Sequence, residues 1–398
     1  MSASLFLNDL GIVNPLGFGK SEVAEKLLQG SQSGMRIRDD LIPDRSVYVG
    51  SVVGELPEIS RDHVPHDSRN NRLFLAALME IEDSIEAAKE RYGRDRIAVI
   101  LGTSTSSLCD GERGIGEKVR SGRFPDGYDY ARQDAASISE FTARYLGLNG
   151  LRMTVSTACT SSAKTLASAR RFINAGVCDA AIVGGADTIC GFTLNGFDAL
   201  ESVSPGICNP FSRNRDGINI GEGAAVFLVT REEGPVEIKG IGETSDAHHI
   251  SAPDPEGTGA SLAMKAALTQ AGIESNQVGY LNLHGTATPL NDAMEAKAVA
   301  DVFQHPVLCS STKPMTGHML GATGANELGF LWLALQESYG KGLLPPHLWD
   351  HQPDQNLPGL NFVEIGKKAD TSSPYMMSNS FAFGGNNLSV LLGKGGHG

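Results

Sequence analysis

Two halves of the chain repeat the same short pattern, in which a strand-like apolar run enters a turn of small residues. Three pairs of segments occur in the same order in both halves: residues 96–105 with 278–288, residues 156–169 with 310–325, and residues 179–188 with 376–387. Similarity that returns in order along one chain is typical of an internal duplication. We therefore predict two related halves, residues 1–235 and residues 236–398.

Short β-rich runs alternate with helical patterns along both halves, which indicates an α/β fold. The predicted strands are residues 96–101, 180–186, 224–230, 278–283 and 388–392. The predicted helices, which carry apolar residues at three- and four-residue spacing, are residues 72–91, 160–175, 258–271, 293–303 and 325–337.

Composition and charge exclude several classes of protein. The chain has 398 residues, of which 41% are hydrophobic and 20% charged, so it is not disordered. Its 33 Lys and Arg against 46 Asp and Glu give a net charge of −13, which repels a nucleic acid. The N-terminal residues lack a signal-peptide pattern, and no apolar run approaches the ~18 residues of a membrane span. We expect a cytoplasmic protein with no membrane span and no nucleic-acid partner.

The cysteines predict neither disulfides nor a zinc site, because they are scattered without C-x-x-C spacing. The six are Cys109, Cys159, Cys178, Cys190, Cys208 and Cys309. Cys159 stands out because it lies where an apolar strand runs into a helix rich in Ala, Ser and Thr. Unpaired N–H groups and the dipole at a helix N-terminus favour the nucleophilic thiolate. The alternative for Cys159 is a buried structural cysteine.

Two histidines follow strands in turns of glycine and threonine: His284 in NLHGTATPLND and His318 in KPMTGHMLGATGANE. His318 matches Cys159 across the repeat, and equivalent strand ends can converge on one cleft. Lys313 and Glu327 flank His318 and are candidates for a buried ion pair that orients the site, or else ordinary surface charges.

Near the C-terminus, the segment NSFAFGGNN combines two aromatic residues with two glycines. Phe381 and Phe383 are two residues apart, so on a strand they face the same way and form a core pair. Gly384 and Gly385 let the backbone approach a ligand closely. Phe383 is therefore also a candidate for a gate whose N–H contributes to an oxyanion hole.

Taken together, four motifs resemble the elongating β-ketoacyl-[acyl carrier protein] synthases, which are type I/II ketosynthases of the thiolase superfamily. The motifs are TACTSSA, HGTATPLND, STKPMTGHMLGATGANE and NSFAFGG. Four motifs in this order are a specific signal, whereas each alone is weak. The resemblance implies a thiolase-like duplicated five-layer αβαβα fold that works as a dimer.

The resemblance also implies a decarboxylative Claisen condensation, in fatty-acid or polyene/polyketide-type biosynthesis. Cys159 would accept an acyl chain from an acyl carrier protein, and His284 and His318 would bind the malonyl thioester and promote loss of CO₂. The N–H groups of Cys159 and Phe383 would form the oxyanion hole, and Lys313 and Glu327 would hold the histidine network. No metal or redox cofactor is required.

Further roles follow from the same resemblance. Thr286, Thr288 and Ser251 would contact the pantetheine arm of the carrier protein. The acyl pocket would be lined by Thr105, Leu108, Phe197 and Phe381. A small polar residue at Thr105, where fatty-acid elongating members place a larger apolar one, favours an unusual acyl chain: polyunsaturated, aromatic or polyketide-like.

The sequence departs from the family at three positions that bear on the pantetheine arm. Asn386 stands where threonine is usual, and His248 and Ser251 stand where the family favours tyrosine and threonine.

An acidic carrier protein needs a basic docking face, for which Arg69, Arg72 and Arg213 are the candidates in this acidic chain.

Three other functions compete with catalysis by a ketosynthase. A non-catalytic chain-length-factor-like subunit, paired with an active synthase, would generally lack the cysteine. A thiolase would carry a second catalytic cysteine near the C-terminal Gly-Gly, where this chain has Phe383 and Asn386. An acyl-binding scaffold would form no covalent adduct. The active form is expected to be a homodimer or a heterodimer with a related ketosynthase-like subunit.

Overall fold

Fourteen strands and twelve α-helices make up the part of the chain that the computed structural model describes, residues 4–370 and 372–396. The strands are β1 (Phe6–Asn14), β2 (Gly17–Phe18), β3 (Met35–Ile42), β4 (Arg45–Gly50), β5 (Ile97–Gly102), β6 (Arg152–Val155), β7 (Ala180–Asp187), β8 (Gly223–Thr230), β9 (Val236–Ser245), β10 (Val278–Asn282), β11 (Leu308–Ser310), β12 (Asn361–Phe362), β13 (Tyr375–Phe381) and β14 (Asn386–Lys394). The helices are α1 (Gly19–Leu28), α2 (Arg69–Leu78), α3 (Glu82–Tyr92), α4 (Leu108–Ser121), α5 (Ser137–Leu146), α6 (Ser161–Asn174), α7 (Gly191–Ala199), α8 (Thr258–Ala271), α9 (Pro289–Val302), α10 (Lys313–Thr316), α11 (Thr323–Leu335) and α12 (Glu337–Gly340).

The strand order confirms the duplication predicted from the sequence. The first half contributes strands in the order β1-β8-β7-β5-β6, and the second half contributes β9-β14-β13-β10-β11 in the same relative order. In each half the first two neighbouring pairs are antiparallel and the last two are parallel. The two sets join where Phe6 and Leu7 of β1 pair with Glu237 and Val236 of β9.

The predicted boundary after residue 235 falls between β8 and β9. Pairing of β1 with β9 continues the sheet across this boundary. The division of the chain into two separate domains therefore stays a proposal.

Helices lie on both outer faces and between the two sets of strands, which makes five layers. On the first half, α2 and α5 cover the outer face; on the second half, α8 and α9 do so. Between them, α6 and α11 pack against each other and against the inner faces. Three of the buried apolar clusters fill the spaces between these layers. The α/β, five-layer fold expected from the resemblance is confirmed.

The central helices are close together because their sequences are apolar or small. Every residue of α11 is buried, as expected for a helix that is hydrophobic on all sides. A Cβ added at Gly324 of α11 would lie 2.6 Å from the Cβ of Ala163 on α6. A Cβ added at Gly102, the last residue of β5, would lie 2.4 Å from the backbone nitrogen of Ser162. Gly324 thus lets α11 approach α6 closely, and Gly102 lets the start of α6 approach the end of β5.

One predicted helix is interrupted. Residues 72–91 were expected to form a single helix, but α2 ends at Leu78, a 3₁₀ turn spans Met79–Ile81, and α3 begins at Glu82. The carboxylate of Glu80 accepts hydrogen bonds from the N–H groups of Ile12 and Lys20, each at 3.3 Å. This contact ties the turn to β1 and α1 and stabilises the break.

Candidate active site

Cys159 lies in the connection from β6 to α6, two residues before the helix begins. The residue before it, Ala158, has a φ of 52°, in the left-handed region that costs a non-glycine residue about 1–3 kcal/mol. The turn is held by the Ser161 hydroxyl, which donates to the Ala158 carbonyl at 2.6 Å and accepts from the Thr157 N–H at 2.9 Å. The strained turn therefore places the sulfur beside the N-terminus of a central helix.

The protonation state of this thiol differs from the expectation. Burial raises the pKa of Cys159 to about 12, and the charge of Asp187 acts in the same direction. The Lys313 charge and hydrogen bonds from the N–H groups of Cys159 and Phe383 lower the pKa, but they do not offset burial. Burial therefore opposes the predicted thiolate, because the sulfur lies farther from water than a helix end alone indicates.

The two histidines predicted from the repeat both lie next to this sulfur. Nε2 of His318 is 3.0 Å from Sγ of Cys159. The ring of His284 lies edge-on to that of His318, with 5.4 Å between the ring centroids and 86° between their planes. Burial and the nearby Lys313 charge lower the pKa of both histidines well below the usual range, so both rings are neutral.

The rings differ in what their second nitrogen contacts. Nδ1 of His318 is 2.9 Å from the hydroxyl oxygen of Thr323. Nδ1 of His284 is buried without a hydrogen-bond partner among residues 4–370 and 372–396. The two histidines are therefore not equivalent, although the sequence gives them similar settings.

Lys313 and Glu327 form a buried ion pair, which is one of the two alternatives that the sequence left open for them. Nζ of Lys313 is 2.7 Å from Oε1 of Glu327, and each side chain is 1% exposed. The same Nζ donates to the backbone carbonyl of His284. Burial raises the pKa of Glu327 to about 7, against the opposing charge of Lys313. The surface-charge alternative for both residues is excluded.

Two further carboxylates hold the loop after β10, and sequence reasoning missed them. Glu295 accepts hydrogen bonds from the N–H groups of His284 and Gly285 at 2.8 and 2.7 Å. Asp292 accepts from the N–H of Ala287 at 3.1 Å. Burial raises the pKa of Glu295 to about 7 and that of Asp292 to about 6. The available signal was an acidic pair on the buried side of a helix that directly follows HGTAT.

A cavity of about 260 Å³ opens onto the cluster. Its wall contains all three reactive side chains and the predicted pantetheine residues, together with both phenylalanines of the C-terminal segment. These are Cys159, His284, His318, Thr286, Thr288, Ser251, Phe381 and Phe383. The structure thus brings together side chains that are up to 224 positions apart in the chain, counted from 159 to 383.

Of the four residues predicted to line the acyl pocket, Phe197 and Phe381 line this cavity, whereas Thr105 and Leu108 do not. Phe197 lines this cavity and also a second, more open one of about 660 Å³, and its ring centroid is 5.5 Å from that of Phe383. Thr105 lines neither cavity, because its hydroxyl donates to the carboxylate of Asp187 at 2.8 Å. Leu108 is the first residue of α4 and also lines neither. The place of these last two residues in the acyl pocket therefore stays a prediction.

The predicted departure at Asn386 does not reach the cavity. Its side-chain oxygen accepts a hydrogen bond from Lys164 at 2.8 Å, whereas the neighbouring Asn387 lines the cavity and donates to Asp246 at 2.8 Å. His248 is exposed and does not line it either. Only Ser251 of the three departures contributes to the wall.

Two of the three basic docking candidates already have partners. Arg69 forms a two-point ion pair with Glu222, at 2.8 and 2.5 Å, and Arg72 forms one with Asp67, at 2.6 and 2.8 Å. Arg213 is exposed. Of the three, Arg213 is the most accessible to an acidic partner.

One atom from each of Cys159, His284 and His318 lies within 4.8 Å of the other two. Thiolate and imidazole are the ligands that Zn²⁺ prefers, so this set is also chemically able to hold a metal ion. The expectation that the reaction needs no metal stays a prediction. No helix among the described residues is long and apolar enough to cross a bilayer.

Comparison with known proteins gives the same family over the whole chain. Residues 10–234 match the β-ketoacyl synthase N-terminal domain, and residues 236–348 match its C-terminal domain. The chain is 38% identical to the 3-oxoacyl-[acyl-carrier-protein] synthase 2 of Staphylococcus aureus strain COL, over 98% of this chain and 97% of that protein.

Solved structures agree with this result. A chain of the complex of the ketosynthase ApeO with its chain length factor ApeC, from Xenorhabdus doucetiae, superposes with a TM-score of 0.93 at 44% identity, covering 98% of each chain. A β-ketoacyl synthase from Burkholderia phymatum STM815 superposes with a TM-score of 0.88 at 26% identity, covering 99% of this chain and 100% of that one.

A buried Cys–His–His cluster at the floor of a cavity, on a duplicated five-layer fold, defines a condensing enzyme, which is a kind of acyltransferase. The chain belongs to the β-ketoacyl synthase family. Its activity is that of a 3-oxoacyl-[acyl-carrier-protein] synthase.

Proposed function

We propose that this chain is the catalytic ketosynthase subunit of its system, with Cys159 as the nucleophile and His284 and His318 as the decarboxylating pair. The observation that carries the proposal is the 3.0 Å contact between Sγ and Nε2 of His318, with the second imidazole edge-on beside it. A non-catalytic chain-length-factor-like subunit has no need of such a cluster, so that alternative is disfavoured.

In the first half-reaction, Cys159 takes the acyl group from the carrier protein. Sγ forms a bond to the acyl carbonyl carbon, the carbon–sulfur bond to pantetheine breaks, and the proton lost by Sγ ends on the departing thiol. The N–H groups of Cys159 and Phe383 both point to Sγ. They are therefore positioned to hold the oxyanion of the tetrahedral intermediate, which is the role we propose for them.

In the second half-reaction, malonyl thioester loses CO₂ and the electron pair of the broken bond forms an enolate. The N–H groups of two neutral imidazoles are the donors we propose for the enolate oxygen, and such donors in a site shielded from water contribute several kcal/mol. The enolate carbon then attacks the acyl thioester, Sγ is expelled, and it takes up one proton from solvent. The roles need neutral rings, which the low pKa values of His284 and His318 provide.

Lys313 and Glu327 act as positioning residues in this proposal. Lys313 donates to the His284 carbonyl and is held in place by Glu327, so the ion pair fixes the loop that carries one of the two rings. The chemical step requires the two imidazoles to keep their separation, because a shift of about 1 Å is enough to lower a rate 100-fold.

We assign the binding places of the pantetheine arm and of the acyl chain from the residues that line the cavities. Thr286, Thr288 and Ser251 line the cavity and offer hydroxyl groups to the pantetheine arm. The acyl chain is proposed to pass Phe197 and Phe383 toward the second cavity, whose wall is mostly apolar side chains. Phe383 then acts as the gate, since its ring separates the two spaces.

Two partners are proposed. Acyl and malonyl groups arrive on an acyl carrier protein, as the name of the Staphylococcus aureus relative states for that protein. The second partner is a related ketosynthase-like subunit, because the complex of the ketosynthase ApeO with its chain length factor contains a chain that is 44% identical to this one. We accordingly favour a heterodimer and a polyene- or polyketide-type acyl chain over a saturated fatty acid. A cytoplasmic location is part of the same proposal.

Mass spectrometry after incubation with acyl carrier protein tests the proposal. We expect the acyl mass on a peptide that contains Cys159, and its loss in Cys159→Ala. His284→Ala and His318→Ala should keep this adduct while CO₂ release from malonyl carrier protein falls at least 100-fold, since each removes a transition-state donor. Cys178→Ala is the matched control. An adduct that survives in Cys159→Ala, or unchanged CO₂ release in both histidine variants, would contradict the assigned roles.

A further inference from the structure

The hydroxyl of Thr323 has a single proton to donate, and its surroundings restrict where that proton can go. Thr323 is the first residue of α11 and is 1% exposed. The hydrogen bond that the structure gives its hydroxyl, within the described part of the chain, is the 2.9 Å contact with Nδ1 of His318. Buried side-chain polar atoms in proteins have a hydrogen-bond partner in the large majority of cases, and a hydroxyl group has one proton to place on such a partner. Nδ1 is the acceptor at hand.

If the hydroxyl donates, the tautomer of His318 is determined. A neutral imidazole carries one proton, and a nitrogen that accepts a hydrogen bond does not hold it. Nδ1 is then unprotonated, and the proton is on Nε2. That is the nitrogen that lies 3.0 Å from Sγ of Cys159.

We propose that Thr323 is a positioning residue that keeps His318 in the tautomer with Nε2 protonated, so that the ring presents an N–H to the sulfur and to the reacting carbonyl. The inference rests on the proposed function of the Cys–His–His cluster and adds a residue to it. Thr323 lies five positions after His318 and contacts Nδ1 of its ring, whereas Nε2 contacts Sγ of Cys159.

The orientation matters differently in the two half-reactions. During acylation an N–H directed at Sγ stabilises the negative charge that develops as the thiol ionises. During decarboxylation the same N–H is free to hold the enolate oxygen, because Sγ is by then a thioester. The opposite tautomer would direct a lone pair at both atoms and repel the developing charge in each step.

His284 shows why such a residue is needed at only one ring. Its Nδ1 is buried and has no hydrogen-bond partner in the described part of the chain, so a proton there would be an unpaired donor, which is costly. Burial alone therefore favours the Nε2 proton at His284. At His318 the hydroxyl of Thr323 is able to accept a hydrogen bond as well as to donate one. Because this hydroxyl has no other acceptor among the described residues, we infer that it donates to Nδ1.

Nitrogen-15 NMR of the enzyme labelled at histidine reads the tautomer directly and needs no substrate. The His318 signals are assigned by comparison with His318→Ala. We expect the shift of an unprotonated nitrogen for Nδ1 and of a protonated nitrogen for Nε2. In Thr323→Val both signals should move toward intermediate values, because the donor is gone, while Thr323→Ser should keep the wild-type shifts. A protonated Nδ1 in the wild-type enzyme would overturn the proposal.

Kinetics supply the second measurement. Thr323→Val is expected to slow CO₂ release from malonyl carrier protein by about tenfold, the scale of one lost hydrogen bond, and Thr323→Ser to stay within about twofold of wild type. Thr142→Val is the matched control, because it removes another buried helical hydroxyl, which donates to the carbonyl of Ile138 at 2.7 Å. Equal CO₂ release in Thr323→Val and wild type would refute the role of the hydroxyl.

The two proposals fail in distinguishable ways. If Cys159→Ala still condenses acyl and malonyl groups, the catalytic assignment is wrong whatever the NMR shows. If Cys159→Ala is inactive but His318 carries its proton on Nδ1, the catalytic assignment stands and the role of Thr323 is wrong.

Discussion

At the scale of single residues, the chemistry of the site is set by burial and by a few charged contacts. Burial disfavours the charged form of Cys159, His284 and His318 alike. The buried charges nearby include the ion pair of Lys313 and Glu327 and the carboxylate of Asp187. The reacting groups therefore work as hydrogen-bond donors and a thiol in a dry site, with one ion pair behind them.

Separating the two members of this ion pair should reveal what it does. Lys313→Met leaves Glu327 buried without its partner, and we expect the free energy of unfolding to fall by about 3–5 kcal/mol. The double variant Lys313→Met/Glu327→Leu should recover most of that stability, since it replaces both charges with apolar groups. Urea unfolding measures both.

The same variants distinguish support of the fold from support of catalysis. CO₂ release should remain at least tenfold below wild type in the double variant, because the carbonyl of His284 has lost its donor. A double variant that is both stable and fully active would show that the pair does not position His284.

At the scale of elements, the site depends on how closely β5 approaches the first turn of α6. Gly102 has no side chain, and a Cβ there would meet the backbone of Ser162 at 2.4 Å. Cys159 lies only two residues before α6, so any movement of the helix start moves the sulfur as well. A strand end and a helix start thus fix the nucleophile without a direct contact to it.

Gly102→Ala tests this dependence. We expect it to lower the free energy of unfolding by about 1–3 kcal/mol, the usual cost of overpacking, and to slow acylation of Cys159. Gly359→Ala is the control, because an added Cβ there meets nothing within 4 Å. Thermal unfolding and the rate of adduct formation measure the two effects. Wild-type acylation in a destabilised Gly102→Ala would contradict the coupling.

At the scale of the whole molecule, the two halves meet at the site and are held together by a buried carboxylate. Asp187, at the end of β7, accepts hydrogen bonds from the hydroxyl groups of Thr103, Ser104 and Thr105, at 2.6, 2.6 and 2.8 Å. It also accepts from the N–H of Gly321 in the second half, at 2.6 Å. Gly321 lies three residues after His318, so this carboxylate links the first half to the loop that bears His318.

Asp187→Asn should weaken that link. The side-chain amide would direct an N–H group at donors that now contact a carboxylate oxygen. Each buried donor that is left without an acceptor costs about 1–3 kcal/mol. We expect a loss of about 3 kcal/mol in the free energy of unfolding, together with slower acylation and decarboxylation. Asp301→Asn, an exposed carboxylate on α9, is the control for the substitution itself. Calorimetry that shows equal unfolding for both variants would contradict this role.

The fold was predictable because it repeats and because its strands are buried on both faces. Residues 180–186 and 224–230 are apolar runs with few polar interruptions, and both became central strands. The break between α2 and α3 was not predictable, because it depends on a contact of Glu80 with β1, a strand almost seventy positions earlier in the chain. Contacts of that kind leave no local pattern.

The candidate site divides in the same way. The sequence by itself identified the side chains that meet at the site, because Cys and His residues at repeated strand ends come together where the two halves join. Only the tertiary structure decided the state of those groups: that burial opposes the thiolate, that Thr105 turns to Asp187, and that Thr323 contacts His318. Protonation and side-chain direction depend on burial and on neighbours supplied by distant segments, and these exist only once the layers have packed.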